Sequence, residues 1–387
     1  MRLFSDVSQY VRDPWLRYAL GLAERGRGTT SPNPLVGCVV VDNEGAVGEG
    51  FHERAGGPHA EIVALGDAGE RARGATVYVT LEPCAHQGLT PPCVDALLEA
   101  GVERVVIGMR DPNPKVPGGG ADRLREAGID TVFADDPWPF AVQNEAWLKC
   151  LATQRPFVRA KVAVSLDGHT ALETGRRAAM TGHSGEEVTR FLRARADAVL
   201  VGAATVEADD PALTVRDADG RLAERQPRRV ILCRDHVPEL ANRVFVDGTA
   251  ETVVMLPDDL DVDVDPMLGR GTRVERYASS ETLEGALRKV AALGVVDLLV
   301  EPGARLFSAL WCEDLIDELI VVSAGGVAGN GAPPLFWGPA ERTHDRLEPR
   351  MRALEAGVVG DVAVNVWRPT SAEIGTNSPV ARNSSEG

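Results

Sequence analysis

Positive charge is in short supply in this chain. Its 387 residues carry 41 Lys and Arg against 57 Asp and Glu, a formal net charge of −16. A field of that sign repels nucleic acid and anionic membrane surfaces, so neither is an expected partner and a small-molecule substrate is. A phosphorylated substrate would need positive charge supplied locally. Cysteine is sparse as well, with six in all: Cys38, Cys84, Cys93, Cys150, Cys233 and Cys312. That is far from the density of a disulfide scaffold, and a reducing cytoplasm is the expected compartment. No run of about 18 apolar residues exists, which leaves no candidate membrane span. Met1 to Asp6 shows no apolar stretch of signal-peptide type. No internal repeat is present. What remains is an ordinary globular mix, 44% hydrophobic and 25% charged. It is long enough for two or three domains, each with its own core.

Hydrophobic spacing divides the chain. Leu16, Ala19, Leu20 and Leu22 recur at helical intervals within Trp15–Glu24. Val36–Val41 reads as a buried strand, entered through the turn Ser31-Pro32-Asn33-Pro34. The pattern predicts a helix over Ala60–Arg73, a strand over Ala75–Leu81 and a helix over Cys93–Ala100 stopped by Gly101. Val102–Met109 is a second buried strand. Such alternation predicts a layered α/β domain. The character changes around 137–157, a bridging segment opened by Pro137, Trp138 and Pro139. A second α/β alternation follows. Its strands are expected at 158–164, 197–202, 228–233, 252–256, 296–301 and 316–322, its helices at 184–195, 281–293 and 303–312. From Thr370 onward the chain is rich in Ser, Asn and Gly, the composition of a disordered tail. The expected division is 1–150, 151–369 and 370–387.

The first domain carries a chemical constellation. His59-Ala60-Glu61 sits where a helix begins, and Pro83-Cys84 follows a strand. Cys93 opens the next helix. An H-x-E followed by P-C and a further Cys is the signature of zinc-dependent base deaminases. Imidazole and two thiolates bind zinc and leave a fourth position for water, whose pKa the metal lowers to roughly 7. Glu61 is no ligand in this pattern. It carries a proton from that water to the ring nitrogen and the leaving ammonia. The spacing departs from the usual two residues between cysteines: eight, Ala85 to Pro92, separate Cys84 from Cys93. Such a loop would shape the pocket for something larger than a bare base. A purely structural zinc site would need a fourth protein ligand and would leave Glu61 without a task. Cys38, inside a strand, reads as a core residue.

The run Thr80-Leu81-Glu82-Pro83-Cys84, the insert ending in Thr90-Pro91-Pro92-Cys93, and the turns Pro32-Asn33-Pro34 and Asp111-Pro112-Asn113-Pro114 resemble the riboflavin-biosynthesis deaminase family. In the second half, Lys161-Val162-Ala163-Val164-Ser165-Leu166-Asp167-Gly168 and Asp209-Asp210-Pro211-Ala212-Leu213-Thr214-Val215-Arg216 resemble its fused reductase. The resemblance covers roughly residues 12–367. It implies a cytidine-deaminase-like three-layer domain followed by a dihydrofolate-reductase-like α/β domain. The implied activities are hydrolytic deamination of a ribosyl-phosphate-bearing pyrimidine, then NADPH-dependent reduction of its ribosyl group. Asn33, His52, His86, Thr90 and Asn113 are implied substrate contacts in the first half. Arg177, Arg193, Leu213, Arg216 and Glu301 are their counterparts in the second. Ala163, Ala179, Thr205, Asp209, Arg234 and Gly303 are implied to lie along NADPH. A homo-oligomer, dimer or tetramer, is expected by the same analogy.

Departures cluster in the second half. Arg177 and Ala179 stand where the family usually has Ser and Trp, and the lost Trp removes a large flat surface. Cys233-Arg234 replaces an Asp-Ser pair. Pro302 replaces a small residue and removes one N–H. Two accounts follow. In one, the reductase half is a degenerate scaffold beside a working deaminase. In the other, its cofactor pocket is remodelled, with Arg177 and Arg234 supplying phosphate contacts.

Overall fold

A computed structural model describes residues 6–85, 92–113, 119–172, 180–217, 219–280, 282–337 and 350–370. They fall into two compact units that divide between Ala152 and Thr153. No helix among them is long and apolar enough to cross a membrane.

In the first unit, helix α1 (Pro14–Glu24) is capped by Asp13, whose carboxylate accepts from the N–H groups of Trp15 and Leu16 at 2.9 and 3.0 Å. Its buried stripe of Leu16, Ala19, Leu20, Leu22 and Ala23 follows the spacing read from the sequence. Strands β1 (Gly37–Asp42) and β2 (Gly45–Phe51) form an antiparallel hairpin. Helix α2 (Ala60–Ala68) lies close on β2: a Cβ at Gly50 would collide with the Ala60 carbonyl and stand 2.6 Å from Ala64 N. This contact fixes where α2 begins. The single helix expected to Arg73 instead breaks at Gly69, φ +54, and passes into a 3-10 turn. Then come β3 (Thr76–Leu81), α3 (Cys93–Ala100), β4 (Arg104–Met109), α4 (Gly120–Glu126) and β5 (Asp130–Phe133). The bridging segment forms α5 (Trp138–Gln143) and α6 (Glu145–Thr153). Among the described residues the sheet of this unit has five strands, ordered β2-β1-β3-β4-β5, with β3, β4 and β5 parallel.

The second unit contains β6 (Phe157–Val164), α7 (Gly182–Arg195), β7 (Ala198–Gly202), α8 (Ala203–Asp209) and β8 (Arg228–Leu232). It continues with α9 (Arg243–Val246), β9 (Thr252–Pro257), α10 (Asp265–Leu268), β10 (Arg273–Tyr277) and α11 (Leu283–Ala292). Last are β11 (Asp297–Val300), α12 (Ala304–Cys312), β12 (Glu318–Ser323), β13 (Met351–Val359) and β14 (Val362–Pro369). Among the described residues its sheet has nine strands, ordered β10-β9-β8-β7-β11-β6-β12-β14-β13. The seven from β10 to β12 are parallel; β14 and β13 add an antiparallel edge. Apolar clusters cover both faces, as a largely parallel sheet requires. One ionic quartet crosses it. Arg159 on β6 pairs with Asp297 on β11 at 3.0 Å and with Glu318 on β12, and Glu318 also takes Arg368 of β14 at 2.7 Å. Glu318 is completely buried.

Candidate active site

Two helix starts and one strand end meet in the first unit. His59 is the N-cap of α2, Cys93 is the first residue of α3, and Cys84 lies three residues beyond β3. His59 Nδ1 faces both sulfurs, 3.1 Å from Cys93 Sγ and 3.6 Å from Cys84 Sγ. The three donor atoms all lie within 4.8 Å of one another. The Cys93 backbone N–H donates to Cys84 Sγ at 3.3 Å. The Cys93 thiol also donates to Cys84 and, with His59, holds it as a thiolate, pulled down to about 4. Cys93 is correspondingly pushed up. Two sulfurs sharing a proton, with one imidazole nitrogen against both, form a soft S₂N set whose proton a cation can replace. That set fits zinc with one position left open.

Glu61 is the second residue of α2, in its first turn, and is 3% exposed. Burial raises its carboxyl above the ordinary range, against the pull of His59. It lines a cavity of about 290 Å³ together with His59, Cys84, Asn33, Asn113 and His52. His52 is fixed in one tautomer. Its Nδ1 lies 2.9 Å from the Pro58 carbonyl, which can only accept, so Nδ1 carries the proton. Nε2 therefore accepts from the Asn33 side-chain amide at 3.0 Å. Burial lowers the His52 pKa, which keeps the ring neutral. Asn144 clasps Leu35 through both backbone groups, at 2.8 and 3.0 Å, and so anchors the loop that carries Asn33.

Trp147, Asp111 and Glu82 also line the cavity, and sequence reasoning gave none of them a role in the site. Trp147 arrives from α6, inside the bridging segment, and no local pattern marks it. Asp111 stands at the turn after β4. Glu82, buried beyond β3, accepts from the N–H groups of Ala121 at 3.0 Å and Asp111 at 3.4 Å, tying the start of α4 to the turn after β4. His86 and Thr90 lie outside the described residues.

The second unit assembles its charged cluster at the carboxyl ends of its central strands, where open α/β sheets place ligands. Ala160 is opposite Val300, so Lys161 on β6 sits beside Glu301. Glu301 receives a two-pronged hydrogen bond from Arg193 of α7, at 2.6 and 3.0 Å, and lies 3.8 Å from Lys161 Nζ. Burial would raise the Glu301 carboxyl, but the charges of Arg193 and Lys161 outweigh it and hold it down to about 2. Lys161 is lowered, chiefly by burial. Arg193 also donates to the Thr214 carbonyl at 3.3 Å. That carbonyl is set by Leu213, whose φ of +52 is left-handed. A non-glycine residue held there costs on the order of 1–3 kcal/mol, so the surrounding structure enforces it. The Leu213 side chain packs in the core.

The remaining residues expected in this half are spread more widely. Gly303 is the N-cap of α12, and a Cβ there would stand 3.5 Å from Thr205 Oγ1 on α8. A gap that a side chain would fill, between a hydroxyl and the free N–H groups of a helix start, fits a cofactor phosphate. Ala163 lies on β6 two residues beyond Lys161, and Asp209 ends α8. Arg216 is exposed and donates to the Gly220 carbonyl at 2.8 Å. Arg234 is exposed just past β8. Arg177 and Ala179 lie outside the described residues.

Fold and site together define a two-domain protein: a zinc-type deaminase domain followed by an α/β domain of the reductase type. Comparison with known proteins agrees with both halves. The family described as "Cytidine and deoxycytidylate deaminase zinc-binding region" matches residues 11–109, and "RibD C-terminal domain" matches 156–363. The chain is 41% identical to the riboflavin biosynthesis protein RibD of Escherichia coli, over 82% of this chain and 89% of that one. It is 39% identical to RibD of Aquifex aeolicus, over 82% and 88% respectively. Among solved structures, Acinetobacter baumannii RibD superposes with a TM-score of 0.83 at 38% identity, over 94% of this chain and 99% of that one. A Thermotoga maritima protein titled a diaminohydroxyphosphoribosylaminopyrimidine deaminase/5-amino-6-(5-phosphoribosylamino)uracil reductase gives 0.80 at 32% identity, over 94% and 99%. The chain belongs to the RibD family of riboflavin biosynthesis proteins, and it carries that family's deaminase and reductase domains together.

Proposed function

We propose that residues 1–150 deaminate 2,5-diamino-6-ribosylamino-4(3H)-pyrimidinone 5′-phosphate, and that residues 151–369 then reduce the ribosyl group of the product with NADPH. One observation carries the reading: His59, Cys84 and Cys93 converge beside a buried Glu61 on a cavity that also presents Asn33 and Asn113. Zinc held by the three ligands supplies the Lewis acidity that brings a water's pKa to about 7. Glu61 takes the proton released as water adds to the amino-bearing ring carbon. It passes that proton to the ring nitrogen, then takes the proton of the new carbinol hydroxyl and delivers it to the amine, which departs as ammonia while the ring carbon becomes a carbonyl. Asn33, held by neutral His52, and Asn113 orient the pyrimidine.

In the second unit NADPH supplies the hydride. Thr205 and Gly303 would receive its phosphate, with Ala163, Asp209, Arg234 and Ala179 along its length. Arg193, Arg216, Leu213, Glu301 and Arg177 would hold the phosphoribosyl substrate. Arg193 and Arg216 provide local positive charge within a chain of net charge −16. A pure scaffold role for this unit is not favoured, because the Lys161–Glu301–Arg193 cluster is assembled. Cysteines that form no disulfide among the described residues support a reducing, cytoplasmic setting. The exposed edge strand β13 offers a surface for a second copy in a dimer or tetramer. The test follows ammonia release and NADPH oxidation together on the phosphoribosylated pyrimidine. Both should proceed in sequence. Ammonia release without NADPH oxidation or binding would overturn the reductase assignment.

A further inference from the structure

We propose that Glu82 is a positioning residue for the deamination: its carboxylate holds the segment carrying Cys84 and the turn carrying Asn113 in one frame. The inference rests on the deaminase site proposed above and deepens it.

Glu82 sits where two strands stop together. Leu81 of β3 is level with Met109 of β4, and the Glu82 N–H donates to the Met109 carbonyl at 2.9 Å. The side chain is 5% exposed and borders the cavity. A carboxyl group buried that far needs hydrogen-bond partners. Oε1 accepts from the Ala121 N–H at 3.0 Å and Oε2 from the Asp111 N–H at 3.4 Å. Each oxygen is turned to a backbone donor, which makes its task one of holding rather than of proton transfer.

The hold reaches the site in two directions. Toward the metal, Pro83 locks its own φ and confines Glu82 to extended backbone, so the placement of Glu82 carries over to Cys84. Helix α4 presses on the same segment. A Cβ at Gly120 would collide with the Pro83 carbonyl oxygen, and Arg123 Nη1 donates to the Ala85 carbonyl at 3.4 Å. From α3, the Val94 N–H donates to the Cys84 carbonyl at 3.2 Å. Cys84 is thus fixed between α3 and α4, and the Glu82 carboxylate is the buried tie on the α4 side. Toward the substrate, Asp111 is held by Glu82 through its N–H, and its Oδ1 accepts from the Asn113 N–H at 2.8 Å. One side chain therefore sets both a metal ligand and a residue that orients the pyrimidine. Groups behind a metal ligand are typically worth 10–100-fold in metal affinity.

Two substitutions separate the two ties. Gln offers one acceptor oxygen where Glu offers two. In Glu82→Gln that oxygen keeps the shorter bond, to Ala121, and the amide NH₂ faces the Asp111 N–H as donor against donor. Glu82→Ala removes both ties. The experiment uses the full-length protein. Metal-free samples are titrated with zinc against a chromophoric chelator, and zinc-loaded samples are assayed for ammonia release over a range of the phosphoribosylated pyrimidine. Glu82→Gln should keep zinc affinity and kcat within about three-fold of wild type and raise KM ten-fold or more. Glu82→Ala should raise KM likewise and weaken zinc binding by about 10–100-fold. Wild-type KM in Glu82→Gln, or wild-type zinc affinity in Glu82→Ala, overturns the assignment. A kcat that collapses in Glu82→Gln at unchanged KM also overturns it, since that marks a proton carrier. Should Glu82→Ala fail to fold, the KM of Glu82→Gln decides. A wild type that binds zinc yet releases no ammonia from this substrate overturns the deaminase reading instead, and the zinc affinity of Glu82→Ala then decides whether Glu82 holds Cys84.

Discussion

At the scale of residues, the role proposed for Glu61 rests on its place within a helical turn of His59 and on its burial. Replacing it with Gln keeps size and hydrogen-bonding reach but removes the proton acceptor. Glu61→Gln should retain one equivalent of zinc by metal analysis and lose ammonia release by roughly 10²–10⁴-fold. Cys84→Ser, by contrast, should lose the metal as well. The Glu301 cluster gives a pH signature of its own. The Glu301 carboxyl, ordinarily at 4.5, is held down to about 2. Its folded pKa lies below its unfolded one, so the stability it contributes is fully present above pH 4.5. That stability fades as pH falls from there toward 2. Glu301→Gln should therefore narrow the gap between urea midpoints measured at pH 7 and at pH 3.5. The zinc ligands were legible in the sequence because each sits at a strand or helix end with diagnostic neighbours. Lys161, Arg193 and Glu301 come from three distant segments: the register of β6 against β11 sets Lys161 beside Glu301, and α7 brings Arg193 to them. Arg193 and Glu301 had been read as separate substrate contacts, and they prove to be each other's partners as well.

At the scale of elements, α2 positions His59 only because β2 is flat enough to receive it. Gly50→Ala should push α2 off the sheet. It should cost about 1–3 kcal/mol in a denaturant titration and lower zinc occupancy without touching a ligand. The sequence showed α2 but misjudged its end, because the apolar spacing runs on past Gly69 while the backbone does not. Strands β10, β13 and β14 were not anticipated. Arg273–Tyr277 is mostly charged, and most of Met351–Val359 is exposed on both faces, so neither shows the alternation that marks a half-buried strand. The central strands β7, β8, β9 and β11 were readable for the opposite reason: each carries an unbroken apolar stretch of three or more residues, as strands covered on both faces do.

At the scale of the whole molecule, the two chemistries reside in separate cores and draw on separate helpers. Removing zinc with a chelator should abolish ammonia release and leave NADPH binding within about two-fold of its untreated value, read by fluorescence titration. In the proposed reaction the strongly negative chain meets its anionic substrate with local arginines, a feature composition could call for but not locate. The quartet of Arg159, Asp297, Glu318 and Arg368 bears on how such a fold can change over time. Loss of any one member strands a charge inside the sheet, at roughly 3–5 kcal/mol, while replacing the whole set with apolar residues can be neutral or stabilising. Four positions on four strands are thereby bound into a single heritable character. Descendants of this chain should keep all four or exchange them together, with single-site variation falling at other positions.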